Sequence, residues 1–211
     1  MVEVVGVQHD AVLLAGGQAS RMGGVDKTAI VADGLALSDH AVAAAARART
    51  VVLVGLRDGR TAPDGVVATR EDPPFGGPVA GIVAGLTAVA EPAPWTLVLA
   101  CDLVQPERAV DALLGAAEDR ADADGSDTDG LDVDGFVAVD EDGRRQPLLA
   151  LYRSTALRDA VAALGDPDGA AVRRLTAALR LVEVPLSAGL CADVDEPADA
   201  ARVADTPRLL D

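Results

Sequence analysis

Aromatic side chains are scarce in this chain: Phe75, Trp95, Phe136 and Tyr152 are all it has. That leaves no row of rings on which the bases of a nucleic-acid strand could stack. Positive charge is scarce as well. Eighteen Lys and Arg stand against 34 Asp and Glu, for a formal net charge of −16, whereas a nucleic-acid binder needs a basic face to displace counterions. A nucleic-acid partner is therefore not expected. A small anionic ligand remains compatible, because it answers to a local pocket of Arg, Lys and backbone N–H groups and not to net charge. Only two cysteines occur, Cys101 and Cys191. Neither sits in a CxxC or beside a histidine cluster, so free buried thiols in a reducing compartment are expected. Met1–Asp10 carries Glu3 and Asp10 and lacks a basic start followed by an apolar run, the pattern of a signal peptide. No run reaches ~18 apolar residues free of charge, so no membrane span is expected. These absences together predict a soluble, cytoplasmic protein. His9 and His40 fall outside every motif and read as structural or solvated, and no Ser-His-Asp or Cys-His arrangement suggests covalent catalysis.

What is present is a chain of 211 residues, half of them hydrophobic, enough for one α/β domain spanning 1–211 with a full core. Short apolar runs alternate with Ala-rich stretches, and there is no internal repeat. Strands are predicted at Ala11–Leu14, Val51–Val54, Val66–Ala68 and Thr96–Ala100. Helices are predicted at Leu37–Ala48, at Val79–Val89 with Pro78 in its first turn, and at Glu107–Ala117. Between Leu14 and about Leu35 the pattern reads as loop. Gly135–Val139 and Pro147–Tyr152 read as a small antiparallel hairpin turning at Asp140–Arg145. Helices over Thr155–Leu164 and Ala170–Leu179, a strand at Leu181–Val184 and a helix at Pro197–Ala204 complete the pattern. Alternation of this kind predicts a Rossmann-like three-layer sandwich with a mainly parallel sheet, whose ligands collect at the carboxyl ends of the strands.

Residues 118–134, EDRADADGSDTDGLDVD, break the pattern. A calcium loop starting at Asp122 fails, because Asp127 stands where glycine is needed and Val133 where glutamate is needed. The composition predicts a solvated, disordered acidic insertion that could be deleted without harm to the fold.

The chemistry concentrates in Leu14–Lys27, LAGGQASRMGGVDK. Gly16 and Gly17 follow a strand directly, so the backbone can turn sharply and bring N–H groups close to an anion. Gly23 and Gly24 allow a second bend, and Arg21 and Lys27 add two cations. Such a loop suits a polyphosphate. It is no Walker A loop, since Lys27 follows Asp26, and GxGxxG is absent. Asp102 follows the strand ending at Ala100. A carboxylate there faces the loop, where a hard cation bridging a phosphate and a second substrate would sit; a turn-capping role before Pro106 is the alternative.

The pattern LAGGxSxRMGxxDK resembles the signature of the sugar-nucleotide and cofactor nucleotidyltransferases. Arg21–Lys27, RMGGVDK, is most similar to the molybdenum cofactor guanylyltransferases. The likeness extends through GGPVAGIVAGL (Gly76–Leu86), LACD (Leu99–Asp102), RQPLLALYR (Arg145–Arg153) and ADVDEPAD (Ala192–Asp199). It implies an enzyme that transfers GMP from GTP to molybdopterin, with Mg²⁺ as cofactor and with transient contacts to other cofactor-biosynthesis or acceptor proteins. It further implies that Leu14, Ala15, Gly16 and Gly17 hold the nucleotide, that Lys27 contacts its phosphates, that Asp102 binds the metal, and that Asp72 lies near the nucleotide. Arg21, Lys27 and Asp102 are then the catalytic candidates. Two positions depart from the pattern. Relatives that use guanine often carry Asn just after the second strand, where this chain reads VVLVGLR (Val51–Arg57). Asp193-Val-Asp195-Glu-Pro197 stands in place of Asn-x-Asn-Thr-Pro, and Asp-x-Asp occurs in cytidylyltransferases of the same cofactor. Asp195 either shares the metal or caps the last helix. A CTP-using sister enzyme, a sugar-1-phosphate nucleotidyltransferase and a non-catalytic nucleotide-binding partner protein remain as alternatives.

Overall fold

A computed structural model describes residues 6–16, 30–32, 34–56, 59–125, 128–187 and 189–192. The apolar runs form β1 (His9–Leu14), β4 (Val51–Val54), β5 (Val66–Thr69), β6 (Trp95–Ala100), β7 (Gly135–Val139), β8 (Arg145–Arg153) and β9 (Leu181–Pro185). They join in one sheet of order β5-β4-β1-β6-β8-β7-β9. Strands β5, β4, β1 and β6 are mutually parallel, and β8 runs against both its neighbours. The predicted hairpin thus exists, with its two strands built into the main sheet, and β9 returns parallel to β7.

Side chains alternate across this sheet with period two, so each strand feeds two cores. On one face Ala11, Leu13, Leu97 and Leu99 pack against α1 (Leu37–Ala44) and α3 (Pro106–Asp124). On the other, Val12, Val52 and Val54 meet the inward face of α2 (Gly77–Ala88), while Val98, Val137 and Ala150 join Ile82 of α2, Leu157 of α4 (Ser154–Leu164) and Leu175 of α5 (Val172–Thr176). This is the expected three-layer sandwich. Helix α2 lies unusually close to β1. Gly85 packs directly on the Val12 side chain, and a Cβ on Gly81 would sit 3.1 Å from Leu14 Cδ2. Glycine every fourth residue gives the helix a flat stripe, so its amino end is pressed down beside the end of β1.

Four expectations are corrected. First, α3 does not stop at Ala117 but runs to Asp124 and ends at Gly125 in a left-handed conformation, φ 66. Ala117 and Ala121, one turn apart, both face the core. Beyond them a 3-10 turn (Thr128–Gly130) leads to Leu131 and Val133, both buried. The Arg153 guanidinium holds this stretch by donating to the carbonyls of Asp129, Leu131 and Val133, and it lies 4.6 Å above the Trp95 ring. Asp134 is fixed to Arg180, which keeps its carboxyl below the usual carboxylate range. The acidic segment is therefore a helix end and a strap across the core, not a disordered insertion, although 126 and 127 lie outside the described residues. Second, the presumed loop before Leu35 includes a two-stranded antiparallel sheet of β2 (Val31–Ala32) and β3 (Leu35–Ala36). Third, α1 ends at Ala44, and α5 is one short helix bounded by turns. Fourth, β1 begins at His9 and not at Ala11, which makes that histidine a buried strand residue.

The histidines are structural here. His40 Nε2 faces the Ala32 carbonyl at 2.9 Å and Nδ1 faces Glu107 Oε1 at 3.0 Å, tying the small sheet to α1 and α3. His9 Nδ1–H donates to the Val7 carbonyl at 2.9 Å, and burial holds its imidazole below the usual basicity. Both cysteines are free thiols, Cys101 buried and Cys191 partly so. No helix among the described residues is long and apolar enough to cross a membrane. The predicted helix Pro197–Ala204 lies outside the described residues.

Candidate active site

The four parallel strands end level with one another. Leu14 is in register with Val54 on one side and Ala100 on the other, and Val54 with Thr69. Main-chain bonds extend the alignment one residue further. Cys101 N–H donates to the Leu14 carbonyl at 3.0 Å, Ala15 N–H to Val54 at 2.9 Å, and Gly55 N–H to Thr69 at 2.9 Å. The strand order reverses between β1 and β6: the chain runs from β1 outward to β4 and from β6 the other way, toward β7, the kind of position at which parallel sheets bind ligands in a crevice.

A cavity of about 330 Å³ occupies that crevice, in the size range of small-molecule sites. Its floor is Leu14, Gly16, Val54 and Ala100. Gly77, Pro78 and Gly81 of α2 form one wall, Leu148 of β8 contributes from the far side, and Glu71, Phe75 and Asp102 stand at the edges. Gly16 rests directly on Gly55 behind it. Gly55 has φ 82, and a Cβ there would fall 2.7 Å from Gly16 Cα and 2.9 Å from Gly16 N. The two backbones touch with no room for a side chain.

Leu14 and Gly16 line the cavity, and Ala15 between them is bonded to the Val54 carbonyl. Asp102 lines the same cavity at the carboxyl end of β6, partly exposed. Asp72 does not line it. It belongs to a shallower cleft with Thr69, Arg70 and Pro167. The carboxylate that reaches the cavity from this loop is its neighbour Glu71, whose Oε1 accepts the Phe75 N–H at 3.1 Å and lies 3.8 Å from where a Gly16 Cβ would stand. Glu71 is the functional candidate the sequence pattern missed, because a loop carries no periodicity from which to read side-chain direction. Gly17, Arg21 and Lys27 lie outside the described residues, as do Asp193 and Asp195. The chain leading to the latter pair is placed, however: the Ala192 carbonyl accepts the Val104 N–H at 3.1 Å, two residues beyond Asp102.

Among the described residues, the charged groups lining the cavity are both carboxylates, Glu71 and Asp102. Two carboxylates repel a triphosphate unless cations intervene. Asp102 alone suits a hard dication that keeps its waters and takes few protein ligands beside phosphate oxygens; no cluster of three or more His, Cys, Asp or Glu occurs among the described residues. The adjoining Cys101 thiol is no nucleophile, since burial, reinforced by the Asp102 charge, pushes it far above its ordinary range.

Comparison with known proteins agrees with this geometry. A family model described as MobA-like NTP transferase domain matches residues 11–184. Molybdenum cofactor guanylyltransferase from Cupriavidus metallidurans is 33% identical over 178 residues, 82% of either chain. Among solved structures, molybdopterin-guanine dinucleotide biosynthesis protein A from Archaeoglobus fulgidus is similar with a TM-score of 0.63 at 18% identity, covering 93% of this chain and 97% of that one. A 2-C-methyl-D-erythritol 4-phosphate cytidylyltransferase from Thermus thermophilus gives 0.60 at 18% identity over the same shares. At such identities the structural likeness speaks to fold alone.

Proposed function

The chain belongs to the MobA-like NTP transferase domain family, and from that premise we propose that it transfers GMP from GTP to the phosphate of a molybdopterin-type acceptor. An acceptor phosphate oxygen forms a bond to the α-phosphorus of GTP, the bond from that phosphorus to the bridging oxygen breaks, and pyrophosphate leaves with the electron pair. The observation that carries the reading is the cavity at the level ends of β1, β4 and β6, lined by both Gly16 and Asp102.

In-line displacement needs little covalent help, so positioning and charge neutralisation supply most of the effect. The backbone of Leu14–Gly17 holds the phosphates. Arg21 and Lys27, the latter the only lysine of the chain, offset the charge that develops on the departing pyrophosphate. Asp102 would hold Mg²⁺, which when bound neutralises phosphate charge. Glu71 takes the base-facing role that the family resemblance assigns to Asp72: its carboxylate accepts from the N1–H and 2-amino group of guanine, both donors. A cytoplasmic site of action belongs to the same proposal.

Pyrophosphate release measured with each nucleoside triphosphate, with and without the pterin acceptor, tests it. GTP with acceptor should turn over fastest. A second reading is favoured by the sequence after the second strand: Val51–Arg57 reads VVLVGLR, without the Asn that relatives using guanine often carry there, so faster turnover with CTP would assign the chain to the cytidylyl branch. Turnover with no triphosphate would refute both.

A further inference from the structure

Three of the four aromatic residues are sealed in the core: Trp95 and Phe136 at 0% exposure and Tyr152 at 1%. Phe75 is 62% exposed. It is also the one non-glycine among the described residues with a left-handed backbone, φ 68, a conformation that costs free energy for any residue with a Cβ. The fold therefore accepts two costs at this position, a largely exposed apolar ring and a strained backbone. Such residues gather at ligand sites. The ring lines the strand-end cavity, and the Phe75 N–H binds Glu71 Oε1 at 3.1 Å. The twist at Phe75 thus does two things: it turns the ring to the cavity, and it turns the amide to the carboxylate. Glu71 lines the same cavity, and its Oε1 lies 3.8 Å from where a Gly16 Cβ would stand.

We propose that the Phe75 ring is the stacking face for the base of the bound nucleotide, with Glu71, held by the Phe75 amide, reading the edge of that same base. A ring face against a flat heterocycle and a carboxylate against two adjacent N–H donors select one chemistry, a purine with a 2-amino-6-oxo edge. Adenine presents an acceptor at N1 and is repelled by the carboxylate. A pterin carries the same donor edge as guanine, but Phe75 and Glu71 stand on the Gly16 side of the cavity, where the phosphate loop begins, so the nucleotide base is the occupant. The inference rests on the nucleotide-transfer reading above.

Fluorescence and kinetics test it together. Trp95 is buried, so Phe75→Trp adds the single exposed indole. GTP should quench its emission, while inorganic triphosphate and free pterin should not. Phe75→Ala should raise the KM for GTP by about 5- to 100-fold, the range measured for removing a base-stacking ring, with kcat changed less than threefold and the affinity for inorganic triphosphate unchanged. Phe75→Gly should raise KM equally while holding or raising the melting temperature, since glycine relieves the left-handed strain. A structural prop would instead lower the melting temperature in both variants. That result, an unchanged KM for GTP, or quenching by pterin and not by GTP would overturn the proposal. Wild-type preference for CTP would sink the guanylyl reading alone: stacking would then stand if Phe75→Ala weakened CTP as strongly, and fall if it did not.

Discussion

Replacing Gly55 by alanine should injure stability and nucleotide handling together, and the structure sets the size of each effect. At φ 82 an L-residue pays about 1–2 kcal/mol for the left-handed backbone. The new methyl would lie 2.7 Å from Gly16 Cα and 2.9 Å from Gly16 N, where ordinary contacts are about 3.5–4.0 Å. Neither side yields easily, because Gly55 N–H is bound to Thr69 and Ala15 N–H to Val54. Gly16 must therefore retreat by roughly 1 Å, and overpacking of this kind adds about 1–3 kcal/mol. The total, about 2–5 kcal/mol, corresponds to a fall in Tm of roughly 4–20 °C for a chain of this size. Misplacing the start of the phosphate loop by ~1 Å should lower kcat/KM by about 10². Gly55→Asn separates the two causes: asparagine tolerates the left-handed backbone better but carries the same Cβ, so it should recover part of the stability and none of the activity. Calorimetric melting, titration with GTP and a coupled pyrophosphate assay read all three quantities. If Gly55→Ala melted within about 2 °C of the parent and kept kcat/KM within threefold, the contact between Gly55 and Gly16 would not be what positions the loop.

Asp102→Asn should remove Mg²⁺-dependent turnover while GTP binding survives in weakened form, because the isostere keeps one acceptor oxygen and loses the charge a hard dication prefers; wild-type turnover with unchanged Mg²⁺ dependence would move the metal toward Asp193 and Asp195. Lys27→Ala should lower kcat/KM by about 10²–10³, and a loss below threefold in steady-state kinetics on folded protein would end its proposed role. Arg153→Met keeps the aliphatic stem but loses three carbonyl acceptors and the contact over Trp95; urea unfolding should show a loss of about 2–4 kcal/mol, and deleting Asp122–Asp132 should destabilise at least as much. His9, held neutral by burial, has a folded pKa below its unfolded value, so its contribution is complete above pH ~6.5 and is lost as pH falls through that value and toward the folded one. His9→Gln should flatten this part of the stability–pH curve, and an unchanged slope would show that another group sets it.

The central strands were legible because a sheet covered on both faces demands continuous apolar runs, and Val51–Val54 and Gly135–Val139 match the structure end for end. The place of Asp102 on the cavity was legible because it stands two residues past a strand end. The acidic segment misled because composition reports the average residue, whereas order there depends on a few: Ala121, Leu131 and Val133 face the core, and Arg153, some twenty positions later, supplies the hydrogen bonds. That tertiary contact has no local signature. The pair β2 and β3 is too short, at two residues each, to show alternation. At Glu71 and Asp72 the family resemblance pointed to an acidic loop but not to which of two adjacent carboxylates lines the cavity, since that choice belongs to the loop's path.

Glycines shape much of the cavity. Gly55 presses on Gly16, which lines it, and Gly77 and Gly81 leave the helix bare along one wall. On the proposed nucleotide-transfer reading, main chain bared in this way would hold what all nucleoside triphosphates share, because peptide groups carry no base-specific pattern. Discrimination would then fall to a few side chains around the cavity, Glu71 and Phe75 among them. A lineage could then exchange one base or one acceptor for another through two or three substitutions at the rim, without disturbing the sheet that does the gripping. Changes to the floor, by contrast, would weaken every substrate alike, and selection would meet them as simple loss.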